Sequence, residues 1–190
     1  MKNEIVAHND LKIRIEEDFF NSVDSNKLLK KFISKLPWES MKIKMFGKDT
    51  KIPRLQCWIG DEGCEYRYSG KQLNRQIWSQ DLIMIRKKIY KELKIDFNSV
   101  LANYYRDGKD SMGWHSDDEK ELGPNPTIAS ISFGSERDLV FRNKISKKTL
   151  AIPQTNGCLI LIDGETQKNW QHSIKKTQKV IGPRLSLIHI

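Results

Sequence analysis

Cysteine is scarce and unevenly placed: Cys57, Cys64 and Cys158 are the only three, and no two form a CxxC pair. An odd, scattered set supports neither a disulfide framework nor a cysteine-built zinc site, so the thiols read as buried or idle. Long apolar runs are missing as well. None approaches the roughly 18 residues of a membrane-spanning helix, and Met1–Asp10 has neither an apolar h-region nor a cleavage-like site. A protein with no membrane partner is expected, cytoplasmic by default and nuclear in a eukaryote, and monomeric. The chain also lacks internal repeats, low-complexity tracts and Pro/Gly/Ser-rich linkers. One domain over residues 1–190 is therefore the expectation. Acidic residues are outnumbered, 24 against 33 lysines and arginines, for a net charge of +9. Such an excess fits a polyanionic partner, most commonly nucleic acid, although a solvated lysine-rich surface produces the same total. Placement says more than the sum. Lys147 and Lys148 follow Arg142 and Lys144 in an expected hairpin loop, and Lys175, Lys176 and Lys179 follow His172.

The hydrophobic fraction is 38% and the charged fraction 30%, enough for a folded core. A helix is predicted over Ser25–Leu36, capped by Asp24 or Ser25, striped by Leu28, Leu29 and Phe32, and stopped by Pro37. A second is predicted over Gln80–Leu93, where Leu82, Ile85, Ile89 and Leu93 recur at helical spacing. Beyond Phe97 the pattern turns to short β-rich runs: Val100–Tyr105, Thr127–Phe133, Asp138–Phe141, Thr149–Ile152, Cys158–Ile162 and Leu185–Ile190. Asp107-Gly108, Gly123-Pro124, Gly134-Ser135 and Asn156-Gly157 punctuate them. The fold class is thus α+β, mainly β. A jelly roll buttressed by the two helices is expected, because it can hold a metal between its sheets.

Gly113-Trp114-His115-Ser116-Asp117 carries the chemistry. On a strand, residues two apart share a face, so the His115 imidazole and the Asp117 carboxylate are expected to converge. His172, 57 residues downstream, would complete the set from a distant strand. Two histidines and one carboxylate on one face of an octahedral ion leave the other positions open, as in non-haem Fe(II) oxygenases. Arg184 supplies a permanently charged fork able to clamp the remote carboxylate of a bidentate oxo-acid. Asn103 and Tyr105, two apart on an earlier run, can add hydrogen bonds. Singly, each feature has an ordinary reading: a chance histidine-acid pair, a core histidine, a surface arginine. Together they are much harder to dismiss.

These residues resemble the AlkB-like dioxygenases. The pattern runs through Asn103-Tyr104-Tyr105, Asp107-Gly108, Met112 to Glu119, Ala129 to Gly134, Arg137-Asp138, Phe141-Arg142, Gln171-His172-Ser173 and Gly182-Pro183-Arg184. Upstream it includes Phe46-Gly47-Lys48, Pro53-Arg54 and Tyr66 to Gly70, so it covers about Lys42 to the C-terminus. It is most similar to the DNA-repair branch with a duplex-handling hairpin. The resemblance implies a double-stranded β-helix over about 97–190, a nucleotide-recognition lid over about 40–75, and Fe(II) with 2-oxoglutarate and O2 as cosubstrates. It implies oxidative removal of N-alkyl groups from bases such as 1-methyladenine and 3-methylcytosine in DNA, or RNA, with release of formaldehyde. His115, Asp117 and His172 would bind iron; Asn103, Tyr105, Arg184 and Ser186 would hold 2-oxoglutarate. Asp118 and Glu119 would lie near the cationic base, although they also belong to a solvated acidic run.

The target base must leave the duplex to reach a buried metal. Tyr68 is expected to stack on it, with a cation–π gain, and Tyr66 to form a second wall, against plain strand packing for both. Phe46, Gly47 and Lys48 lie at the tip of a hairpin between the β-like runs Met41–Lys44 and Lys51–Gln56. An apolar tip there suits insertion into the base stack, unless Phe46 belongs to a small core under the lid. Arg142, Lys147, Lys148 and Lys179 are the expected phosphate contacts, which position a duplex without reading it. The chain departs from the pattern at one place. After Arg184 the final strand carries Ser186 and Ile188, and Ile190 stands where a second arginine is usual. His189 or a lysine from elsewhere could compensate. An oxygenase acting on RNA or on a non-nucleic substrate, and a non-catalytic nucleic-acid-binding homologue, are the alternatives.

Overall fold

The computed structural model describes residues 3–190 apart from Asn9, Phe46, Ser69 and Gly70, and the backbone alone at 3–8, 43–45, 67, 68 and 71. Helix α1 spans Ser22–Lys35 and starts three residues before the expected Ser25. Its cap is Asn21, whose side chain accepts from the Asp24 N–H at 2.9 Å. Ser25 falls inside the helix, buried, with its hydroxyl donating to the Phe20 carbonyl at 3.3 Å. Helix α2 spans Gln80–Leu93 as expected, capped by Ser79 and closed by Lys94 in the left-handed region at φ 59°. Leu28 and Phe32 of α1 and Leu82, Ile85 and Ile89 of α2 are buried, so both amphipathic faces point inward. Among the described residues no helix is long and apolar enough to cross a membrane.

The strands in chain order are β1 (Asn3–His8), β2 (Leu11–Glu16), β3 (Lys42–Met45), β4 (Lys48–Lys51), β5 (Leu55–Gly60), β6 (Arg67–Tyr68), β7 (Lys71–Gln72) and β8 (Arg75–Gln76). They continue with β9 (Ser99–Tyr105), β10 (Met112–His115), β11 (Ile128–Gly134), β12 (Arg137–Asn143), β13 (Thr149–Gln154), β14 (Leu159–Ile162), β15 (Trp170–Ile174) and β16 (Arg184–His189). A short helix, α3 (Thr166–Asn169), precedes β15. Eight strands form a major sheet in the order β1-β2-β14-β11-β16-β9-β5-β8, and four form a minor sheet, β10-β15-β12-β13. This mostly antiparallel, two-sheet arrangement is the expected jelly-roll core.

Strand alternation assigns the two faces of the major sheet. Leu185 and Leu187 of β16 join Phe133, Phe32, Ile85 and Ile89 in a cluster under the helices. Tyr105, Ile128 and Ile160 meet Met112, Phe141, Trp170 and Ile174 in the cluster between the sheets. Ile188 packs on that second side, and Arg184 and Ser186 share its face. Turns are set by particular residues. Gly157 adopts φ 90°, and a Cβ there would lie 2.1 Å from the Phe20 carbonyl oxygen, while its own carbonyl accepts from the Phe20 N–H at 3.0 Å.

Several expectations are corrected. The hairpin β1–β2 extends the major sheet through β2 and β14, although no strand was expected before the first helix. Lys48–Lys51, rather than Lys51–Gln56, is the return strand of the β3–β4 hairpin. Leu55–Gly60 instead pairs with β9 inside the major sheet, because its side chains are almost all buried. Asp117 is also off the strand: β10 ends at His115, and Asp117 lies in the bend beyond it.

Candidate metal centre

The minor sheet supplies the metal donors. His115 at the end of β10 stands directly opposite His172 on β15, bringing their rings to 4.2 Å between centroids. The bend after β10 turns Asp117 back toward both. Its Oδ1 lies 3.6 Å from His115 Nε2 and its Oδ2 3.5 Å from His172 Nε2. All three residues offer a donor atom within 4.8 Å of the others, a clustering that could hold one metal ion. The bend is held by the Asp117 N–H donating to Gln167 Oε1 at 3.1 Å and by Ser116 Oγ donating to the Trp170 carbonyl at 3.0 Å. His115 Nδ1 lies 3.0 Å from the Gly113 carbonyl. A proton on Nδ1 satisfies that contact and leaves the Nε2 lone pair for a metal.

Burial dominates the electrostatics of the cluster. Desolvation pushes the Asp117 carboxyl up, opposed by His115 and reinforced by Asp118. It pushes the His172 imidazole down, with His115 adding to the effect. A neutral buried imidazole is the form that ligates a cation, and a divalent ion would replace the proton on Asp117.

Across from the cluster, the inner face of the major sheet carries the residues expected to hold an oxo-acid. Arg184 on β16 pairs with Tyr105 on β9, and Ser186 with Asn103, so the register alone gathers all four. Arg184 is 1% exposed; one of its terminal nitrogens, Nη2, donates to Ser132 Oγ at 2.9 Å and to Gln154 Oε1. Its Nε and Nη1 are buried without a partner. The guanidinium carbon lies 5.2 Å from the Tyr105 ring centre. Burial pulls the Arg184 pKa down to about 10, which still leaves it charged at neutral pH. A buried cation whose partners Ser132 and Gln154 are neutral, with two spare donors, is matched to an incoming carboxylate. Asn103 Oδ1 accepts from Arg54 Nε at 2.9 Å and Gln56 Nε2 at 3.0 Å, while Ser186 Oγ sits 3.2 Å from Ser130 Oγ.

Sequence comparison decides the family: the model of the 2OG-Fe(II) oxygenase superfamily matches residues 12–187. The chain belongs to that superfamily. It is 38% identical over 154 residues to the human DNA oxidative demethylase ALKBH2, covering 77% of this chain and 59% of that protein. It is 32% identical over 178 residues to the mouse alpha-ketoglutarate-dependent dioxygenase alkB homolog 3, covering 89% and 62%. The chain thus spans about three fifths of the length of these curated relatives. The solved structure of OsALKBH1 superposes with a TM-score of 0.66 at 13% identity, over 93% of this chain and 96% of that one, and shares the fold. For an AlkB-like oxygenase the residues fit both groups. The His115, Asp117 and His172 donors suit Fe(II), and the spare Arg184 donors suit the carboxylate tail of 2-oxoglutarate.

The other expected site residues differ in burial and partners. Tyr66 is not exposed as a wall: it is 2% exposed, stacked on Trp58 at 4.5 Å, and its hydroxyl donates to Glu119 Oε1 at 3.0 Å. Glu119 is thereby held with its Oε2 buried and unpartnered, and burial raises its pKa. Asp118 is exposed, 3.8 Å from Lys144 Nζ. Arg142 is half-buried: its guanidinium lies 4.2 Å from the Trp114 ring centre and donates from Nη2 to Gln171 Oε1 at 3.0 Å. Lys147, Lys148 and Lys179 are exposed, as are Gly47 and Lys48 on the β3–β4 hairpin. Phe46 and the Tyr68 side chain lie outside the described residues.

His189 does not compensate for Ile190. It is fully buried against Phe97 on the helix side of the sheet, the opposite face from Arg184. The sequence assigned no site role to Arg54, Ser130 and Ser132, although they fall in the matching pattern, and none to Gln56, Gln154 and Gln167; all six hold or adjoin the cluster or its expected partners. A signal existed for the serines: Ser130 and Ser132 alternate with apolar residues on one face of β11. The glutamines carried none, since nothing in their neighbourhoods marks them as buried.

Proposed function

We propose that this chain is an Fe(II)- and 2-oxoglutarate-dependent dioxygenase that removes N-alkyl groups from bases in DNA, of the 1-methyladenine and 3-methylcytosine type, releasing formaldehyde. The observation that carries the reading is the pairing of a His115, Asp117 and His172 cluster on one sheet with the spare donors of buried Arg184 on the other. Bound Fe(II), with 2-oxoglutarate and O2, supplies the oxidation of an otherwise unreactive alkyl carbon. The chain's own part is positioning. His115 and His172 present neutral nitrogens, Asp117 a carboxylate, and Arg184 the anchor for the far end of the oxo-acid, while the apolar cluster around Phe141 and Trp170 keeps water from the gap.

At the mouth, Glu119 offers a carboxylate oxygen to a cationic base, oriented by Tyr66. Asp118 adds a second negative charge beside it. The β3–β4 hairpin with Phe46, Gly47 and Lys48 would act on the duplex side as a wedge, with Tyr68 stacking on the extruded base. Arg142, Lys147, Lys148 and Lys179 would contact phosphates. Formaldehyde release from methylated single- and double-stranded oligonucleotides, with Fe(II) and 2-oxoglutarate, tests the reading. Turnover by the wild type and its loss in His115→Ala are expected. No iron-dependent formaldehyde from either DNA substrate would refute it, and turnover on methylated RNA alone would move the substrate to RNA.

A further inference from the structure

We propose that Gln154 is a direct ligand of the distal carboxylate of the oxo-acid, so that this end of the cosubstrate is read by an amide as well as by a guanidinium. The inference rests on the oxygenase reading above. Gln154 ends β13 at the edge of the minor sheet, opposite Arg137 in register, and is 1% exposed. Its Oε1 accepts from Arg184 Nη2. That contact fixes the amide's orientation, because only the carbonyl end can face a guanidinium. The amino end is therefore turned away from Arg184, and its Nε2 is buried without a partner.

Arg184 has the same imbalance, with Nε and Nη1 unpartnered. One hydrogen-bonded pair of side chains thus holds three buried donor nitrogens, with the Tyr105 hydroxyl beside Arg184 and no partner on the Gln154 amino group. Buried polar groups are nearly always satisfied, and each one left bare costs stability. A leucine or methionine would fill the same volume with no such cost. A carboxylate resolves the deficit, since its two oxygens offer about four lone-pair sites: enough for the guanidinium edge and for one amide N–H. The final strand contributes Arg184 but has Ile190 six residues on, so a neutral donor reaching in from the other sheet enlarges the binding set without adding charge.

The test uses protein loaded with Mn(II) in place of iron and follows binding by calorimetry, with no turnover. Wild type, Gln154→Leu and Gln154→Glu are titrated with 2-oxoglutarate and with pyruvate, which has the chelating end but no distal carboxylate. Loss of a hydrogen bond to a charged group predicts 2-oxoglutarate binding about tenfold weaker or more in Gln154→Leu. Gln154→Glu should bind it more weakly still, because the new carboxylate pairs with Arg184 and repels the ligand. Affinities for Mn(II) and for pyruvate should stay within about twofold. Unchanged 2-oxoglutarate affinity in Gln154→Leu, or a parallel loss for pyruvate, overturns the assignment. Should Gln154→Leu fail to fold, Gln154→Asn carries the same expectation, since it keeps the amide but withdraws it by one methylene. Failure of the wild type itself to take up 2-oxoglutarate would overturn the oxygenase reading along with this one.

Discussion

His189 should contribute to the acid sensitivity of this protein, and removing it should remove that contribution. The ring is fully buried beside Phe97, both of its nitrogens lack hydrogen-bond partners, and burial pulls its pKa from 6.5 to about 4. The backbone carbonyls of Ala129 and Leu187 oppose that shift, and Arg86 reinforces it. The folded state therefore keeps His189 neutral where the unfolded chain accepts a proton. Stability is intact above pH 6.5 and is lost as the pH falls from 6.5 toward 4. A shift from 6.5 to about 4 corresponds to about 3 kcal/mol in total and roughly 2 kcal/mol by pH 5.

Leucine at 189 fits the surrounding apolar cluster and has no nitrogen to desolvate. At pH 8, His189→Leu should be at least as stable as the wild type, because an unsatisfied buried polar group costs about 1–3 kcal/mol. Its advantage should then widen by roughly 2 kcal/mol at pH 5, about 1 M in urea midpoint for a protein of this size. Urea unfolding of chelator-treated protein at pH 8, 6 and 5, followed by tryptophan fluorescence, measures the difference directly. Other titrating groups, His172 included, cancel between the two proteins. A difference that stays constant across this range would refute the burial argument.

Tyr66→Phe should preserve the stack on Trp58 but remove the donor to the buried Glu119 carboxylate. A loss of about 1–3 kcal/mol in thermal or urea unfolding is expected, with a larger fractional loss of formaldehyde release on DNA than of Mn(II) affinity. Replacing exposed Lys147 and Lys148 together by alanine should lower duplex affinity evenly across sequences and flatten the log-affinity against log-salt slope by about 2, as for two lost phosphate contacts. An unchanged slope would remove both residues from the interface.

Much of this protein is legible in its sequence because the signals are local. Helical periodicity placed α2 to the residue, and alternation with turn punctuation placed β9, β11, β12, β13, β14 and β16 within a few positions. The metal donors were legible for the same reason: histidine and aspartate side chains have few structural duties, so their combination with Arg184 stands out. The local arguments failed where another part of the chain decides. The start of α1 moved because Asn21 competes successfully with Asp24 for the cap. Asp117 approaches the histidines through a bend anchored by Gln167, 50 residues away, and not through strand alternation.

Composition, spacing and residue chemistry by themselves determined a mainly β chain with a two-histidine, one-carboxylate cluster, since these follow from periodicity and the limited set of metal-binding side chains. Only the tertiary structure decided which face each polar residue occupies. Strand pairing places Arg184 and Ser186 on the face toward the minor sheet and His189 on the opposite face, and turns Tyr66 inward onto Glu119. It also sets Gln154 against Arg184 from the opposite sheet. The physical reason is that burial and hydrogen-bond satisfaction are properties of neighbours in space, and a strand's two faces are assigned only when the sheets close.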